Sequence, residues 1–255
     1  MSVDRHRDEL VLSYTRVRTA LGVLGMMLPL VLILGGVLDA PRVGAETGGI
    51  EPTISDFYHT TYRDVFVGTL CAIGVFLISY RGYRREPGEV IDDDWLATIA
   101  GLSAFGVAFF PNEGGGEVIS SMTQYNIGVH ITPTLHYLSA LIFFSCLMIF
   151  CFYKFARTAR PARRRIYMAC GWIIVFALVA TAVSVVFKRF IGGAGRELVL
   201  DYNLIFWFEA IGIWAFGLSW LVKGKADLAL ARAVSRKPPE NAVRSTLDDE
   251  DIVQN

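Results

Sequence analysis

The sequence predicts an all-α polytopic membrane protein: six transmembrane helices in a bundle, with both termini cytoplasmic. Three observations carry this expectation. The 255 residues are 53% hydrophobic and 19% charged, with a mean hydropathy of +0.45, too apolar for a water-soluble domain of this size. Six runs nearly free of charge approach the ~20 residues that a helix needs to cross ~30 Å of hydrocarbon. Finally, nineteen of the 24 Lys and Arg fall before the first run, after the second, after the fourth and after the sixth. The positive-inside rule turns all four of those segments to the cytoplasm. The chain is thus read as multi-pass in the cell (inner) membrane, with residues 1–19 a cytoplasmic N-terminal segment, 20–224 the six-span domain and 225–255 a cytoplasmic, partly disordered tail.

The first run, 20–38, follows arginines and precedes Val43-Gly44-Ala45, which resembles a signal cleavage site. Its apolar core exceeds the ~7–15 residues of a signal, so it reads as a retained span, kinked at Pro29. Runs 65–80 and 95–111 are short and must borrow flanking polar residues such as Tyr62, Asp64 and Asp94, which draws Asp64 toward the bilayer. The fourth run, 131–153, leads into a basic hinge of Arg157, Arg160, Arg163, Arg164 and Arg165. That hinge is topogenic charge first, and a docking place for anionic lipid head groups at ~1 kcal/mol per charge second. Runs 167–187 and 202–222 complete the set. In the tail, an Ala/Leu-rich stretch at 226–234 reads as a short helix, and the polar end beyond Pro238-Pro239 reads as disordered.

Composition excludes several function classes. The 24 basic and 24 acidic residues cancel, which leaves no basic footprint for nucleic acid. Cys71, Cys146, Cys151 and Cys170 sit inside apolar runs without paired spacing and read as reduced packing residues.

The informative residues gather on the side predicted to face outward. Ser55-Asp56-Phe57-Tyr58-His59 leads through Arg63 and Asp64 into the second run, and helical continuation would place His59 and Arg63 on one face. His136 lies five residues inside the fourth run, roughly 7–8 Å deep, and Glu209 seven residues inside the sixth, roughly 10 Å deep. Three alternate spans thus each send an ionisable group into the outer part of the bilayer, where a charge costs at least ~2.5–3.5 kcal/mol without a partner or a wet cavity. An outward-facing polar pocket follows, with Ser55, Tyr58, His59, Arg63, Asp64, His136, Lys188 and Glu209 as candidate lining, and Arg189 and Asp201 near its mouth. The plainer alternatives are a hydrogen-bonded core role for Glu209, a helix-to-helix link through His136 and an interfacial ion pair between Arg63 and Asp64.

Three functions suit such a pocket. Arg63 and Lys188 would hold the head group of a membrane lipid or small amphiphile between apolar walls, in a receptor or transporter; Asp64, His136 and Glu209 would serve proton coupling in the latter. As a second reading, His59, Asp64 and His136, optionally with His130, offer zinc nitrogen and oxygen donors and leave one position for a water of pKa ~7. That would make a metal-dependent intramembrane hydrolase of lipid amides or esters. A structural or assembly subunit is the third reading. Bis-histidine haem fits poorly, because His59 lies outside the apolar run and His130 in a loop.

Ser55-x-x-x-His59 has the spacing of the Ser-x-x-x-His element in the intramembrane hydrolase superfamily that contains alkaline ceramidases, while the His-x-x-x-His of that family's last span is absent here. A broader resemblance runs through Ser55-Asp56-Phe57-Tyr58-His59-Thr60, Arg63-Asp64-Val65-Phe66-Val67-Gly68, Tyr80-Arg81-Gly82-Tyr83, Leu135-His136-Tyr137 with Phe143-Phe144, and the string from Trp214 to Gly224. These resemble a family of bacterial six-span membrane proteins without assigned activity. The resemblance implies a six-helix fold in which Arg63, Asp64, His136 and Glu209 match the family pattern. It also implies that the His59 position is often tyrosine, which argues against an obligatory metal ligand there.

Overall fold

The computed structural model describes residues 2–43, 49–80 and 92–224. The stretch expected to be helical at 226–234, the end expected to be disordered, and residues 81–91 of the connection expected to be cytoplasmic lie outside them. All secondary structure among the described residues is helical: α1 (Ser2–Val43), a 3-10 turn (Ser55–His59), α2 (Arg63–Ile78), α3 (Asp93–Phe109), α4 (Met122–Ile127), α5 (Thr132–Ile149), α6 (Pro161–Val186), α7 (Gly193–Asp201) and α8 (Leu204–Lys223), with a second 3-10 turn at Glu113–Gly115. α5 and α6 each continue into a π-helical segment, Phe150–Phe155 and Phe187–Ile191.

All six apolar runs are helical, and local chemistry sets their ends. α3 starts where the Asp92 side chain accepts the Asp94 N–H, and Asp93 and Asp94 place negative charge on its positive end. Pro133 and Pro161 lie in the first turns of α5 and α6, where a missing N–H costs nothing. Among the described residues, five segments are long and apolar enough to cross a membrane: Thr15–Leu38, Asp93–Gly115, Thr132–Phe155, Pro161–Ile191 and Leu204–Lys223. α2 is shorter, at 16 residues. Large apolar side chains point outward along these helices, among them Leu34, Leu102, Trp172 and Phe176. That inverts the water-soluble pattern, in which the outer face of a helix is polar.

Helix neighbours follow the chain and then close on themselves. α1 packs on α2, α2 on α3, α3 on α5, α5 on α6, α6 on α8, and α8 returns to α1. Phe143, Phe150, Phe155, Phe216 and Trp220 fill one buried cluster within this ring, and Leu28, Phe57, Phe66 and Phe206 a second. Cys146, Cys151 and Cys170 are free thiols buried in the first cluster, and Cys71 is half-buried and free.

The closing contact depends on glycine. A Cβ on Gly217 would lie 2.8 Å from the Met26 nitrogen and 2.9 Å from the Gly22 oxygen, so the α1 and α8 backbones touch there. Gly101 makes the corresponding close approach to the Gly74 oxygen in α2. At the end of the helices remote from Ser55, Lys154 Nζ lies 2.9 Å from Asp93 Oδ1, both side chains less than a tenth exposed.

Candidate functional site

Residues 50–60 form the floor of the site. The Thr53 hydroxyl accepts the Asp56 N–H at 2.9 Å and so starts the 3-10 turn. Pro52 accepts the Phe206 N–H at 3.1 Å, and Ile50 accepts from the Asn203 amide at 3.3 Å, which fastens this segment to the start of α8. Thr60 is extended (φ −112°, ψ 178°), and α2 begins only at Arg63. The continuous helix expected from His59 to Arg63 is therefore broken at Thr60, and the segment ahead of the turn is fastened to α8.

Two histidines take up different partners. Both acceptors facing His59 Nε2 are oxygens of Asn112: the side-chain Oδ1 at 2.9 Å and the backbone carbonyl at 3.3 Å. Carbonyls only accept, so His59 donates from Nε2. The Asn112 amide in turn donates to Asp56 Oδ1 at 2.6 Å, with both Asn112 and Asp56 buried. Gly115 follows closely, where a Cβ would press on the His59 ring. His136 is 2% exposed and donates from Nδ1 to the Phe110 carbonyl at 2.7 Å. Its Nε2 is left to accept from the Ser55 hydroxyl at 2.8 Å.

Beside Ser55 opens a cavity of about 330 Å3 between α5, α6 and α8. Its walls are apolar, with Leu141, Phe144, Leu178, Val185 and Phe208 prominent among them. Its polar end is made by Ser55, Glu113, Tyr137, Lys188, Arg189 and Glu209. The Glu209 carboxyl group accepts the Ile54 N–H at 2.8 Å. Glu113 accepts from both the Tyr137 hydroxyl and the Arg189 guanidinium, so one carboxylate joins the loop after α3, α5 and the π-helical end of α6. The π-helical turn is what presents Lys188 and Arg189 together here. Within the floor segment, Glu51 is half-buried; burial first, and the neighbouring Asp56 second, push its carboxyl pKa above the usual value.

The structure thus brings together Ser55, His136, Lys188 and Glu209 of the residues that sequence reasoning proposes. It sends the others elsewhere. Arg63 lies 4.1 Å over the Tyr58 ring, donates to the Tyr58 hydroxyl at 2.5 Å and to the Ser120 carbonyl at 3.0 Å, and is absent from the cavity lining. Asp64 is exposed on the first turn of α2. His59, Asp64 and His136 do not converge as the zinc reading requires. Among the described residues no three His, Cys, Asp or Glu side chains are grouped as ion ligands would be, and the partners of His59 Nε2 and both His136 nitrogens are protein groups. His130 is absent from the cavity lining and lies with Glu117 in an adjoining pocket that shares Glu113, Tyr137 and Arg189 with it.

Sequence reasoning does not single out Asn112 and Glu113. Their signal is the string Pro111-Asn112-Glu113 ahead of three glycines, directly after an apolar run. A count of Lys and Arg alone passes over it. Comparison with protein-family models, curated proteins and solved structures finds no match to this chain.

Proposed function

We propose that the chain is a six-span protein of the inner membrane, with both termini cytoplasmic, whose outward-facing cavity binds the head group and part of the chain of a small amphiphile. The single observation that carries this reading is the cavity's division into apolar walls and one polar end. Concave, mostly apolar sites of ~300–1,000 Å3 with a few convergent polar groups are the usual form of ligand pockets. At about 330 Å3 the volume suits one acyl chain rather than two. The six-span assignment draws support from the closed order of helix neighbours, in which α2 fills the place between α1 and α3. Orientation rests on the distribution of Lys and Arg.

Of the two cations that the sequence offers for head-group recognition, Lys188 stays on the cavity lining, joined there by Arg189, and Arg63 drops out. Arg189 is already paired with Glu113, so Lys188 is the charge that meets an anionic head group. The test is native mass spectrometry of the detergent-purified protein with a monoacyl phospholipid. Wild type should retain one lipid. Ala182→Trp, which places bulk at the cavity wall, and Lys188→Gln should each lower retention at least tenfold. Undiminished retention in both variants would overturn the assignment.

A further inference from the structure

Ser55 and His136 are 81 positions apart, come from different elements and meet at 2.8 Å. The geometry is that of a nucleophile and its base. The Phe110 carbonyl, 2.7 Å from Nδ1, fixes the imidazole tautomer with its proton on Nδ1 and its lone pair on Nε2, toward the serine hydroxyl. A third group that orients the base completes the arrangement by which a neutral serine becomes nucleophilic. Ser55 also lines the amphiphile cavity, while His136 stands behind it and lines the smaller void that adjoins both Ser55 and Glu209. The base is therefore covered, and Ser55 stands between it and the cavity.

We propose that Ser55 and His136 form a serine nucleophile and general base that cleave a carboxylic ester of the bound amphiphile, with water as second substrate. The proposal rests on the cavity binding such an amphiphile. In the first step Ser55 Oγ bonds to the acyl carbon as its proton passes to His136 Nε2. The C–O bond to the alcohol then breaks, and His136 returns the proton to the leaving alkoxide. An acyl ester of Ser55 remains. Water attacks its carbonyl, gives a proton to Nε2, and the Ser55–acyl bond breaks with the proton returned to Oγ, so that a free carboxylic acid departs. No oxidant or metal enters the balance. A Ser–His hydrogen bond that served only to tie the turn to α5 would give no covalent chemistry.

The test is intact-protein mass spectrometry of the full chain in detergent after treatment with an alkyl fluorophosphonate. Wild type should gain one phosphonyl group with loss of fluoride, mapped to Ser55. Ser55→Ala should gain none, and His136→Gln should react at least 100-fold more slowly, in line with the ~10²–10⁴-fold worth of a positioned base. An unlabelled but cooperatively melting wild type overturns the proposal, and so does a labelled Ser55→Ala. If His136→Gln does not fold, the wild type and Ser55→Ala decide alone. Lipid retention by the same wild-type sample separates the two ideas. Retention without labelling removes the hydrolase and leaves binding, whereas neither retention nor labelling removes both.

Discussion

Gly217→Ala adds one methyl group at the place where α8 meets α1, and two effects of opposite sign compete there. Alanine is the better helix former by ~0.8–1.0 kcal/mol in a helix interior. Against that, the new carbon would stand 2.8 Å from the Met26 nitrogen and 2.9 Å from the Gly22 oxygen, both backbone atoms that cannot rotate away. Relief requires the helices to part by roughly half an ångström or more, which also weakens the dispersion attraction along the rest of the seam, and overpacking of this kind costs about 1–3 kcal/mol. Two rigid backbone atoms under 3 Å put the cost in the upper part of that range, about 2–3 kcal/mol, so the clash should win by about 1–2 kcal/mol, a fall in Tm of roughly 2–8 °C for a chain of this size. Gly68→Ala is the matched control. It too lies within a helix, but nothing stands within 4 Å of its added Cβ, so only the propensity gain remains and Tm should hold or rise. Detergent-solubilised protein followed by intrinsic fluorescence on heating measures both. A Gly217→Ala protein as stable as wild type, or a Gly68→Ala protein equally damaged, would refute the close-crossing argument.

Lys154→Met removes the cation 2.9 Å from buried Asp93 and should lower stability by about 3–5 kcal/mol, while Lys154→Met with Asp93→Leu should recover most of it; a double variant no better than the single would show that the pair is not what matters. Asn112→Ala strips partners from His59 and buried Asp56 and should cost about 1–3 kcal/mol, visible in thermal melts and as faster proteolysis within residues 50–60. Arg63→Lys loses the planar stack on Tyr58 and should cost about 0.5–2 kcal/mol in the same melts, leaving lipid retention unchanged. Glu51 has a raised pKa in the folded state, so folding favours its protonated form. Its ionisation therefore opposes folding above that pKa, and the penalty disappears as pH falls below the unfolded value. Glu51→Gln should accordingly stabilise the protein at pH 7 and lose that advantage near pH 4; equal melting gaps at both pH values would contradict the shift.

Much of the helical layout is legible in the sequence because apolar runs are long and their interruptions sharp. Ends are less so. An apolar run marks where a helix meets hydrocarbon and not where it stops, which is why α1 begins at Ser2 rather than near residue 20, and α6 at Pro161 rather than 167. The π-helical turns after α5 and α6, and the short α7, have no period or cap distinctive enough to find in advance, whereas α4 carries a Ser121-x-x-Gln124 cap that the apolar runs pass over. Within the site, Ser55, His136 and Glu209 stand out as polar groups in or beside apolar surroundings, and all three meet. Their pairing is not legible, since the bond from residue 136 to residue 55 depends on how the segment before α2 is fastened to α8. Arg63 and Asp64 mislead because proximity in sequence to the pocket is not direction. The break at Thr60 resets the helical phase, and Arg63 turns back onto Tyr58.

The return of α8 to α1 also bears on the order in which the chain can assemble. Gly22 and Gly217 belong to the first and last helices of the ring. At a synthesis rate of about 5–20 residues per second, some 10–40 s pass between their emergence from the ribosome. During that interval the bare glycine seam of α1 has no native mate. A nascent intermediate of up to five apolar helices therefore exists as an open arc, and whatever shields α1 in the meantime must release it when α8 arrives.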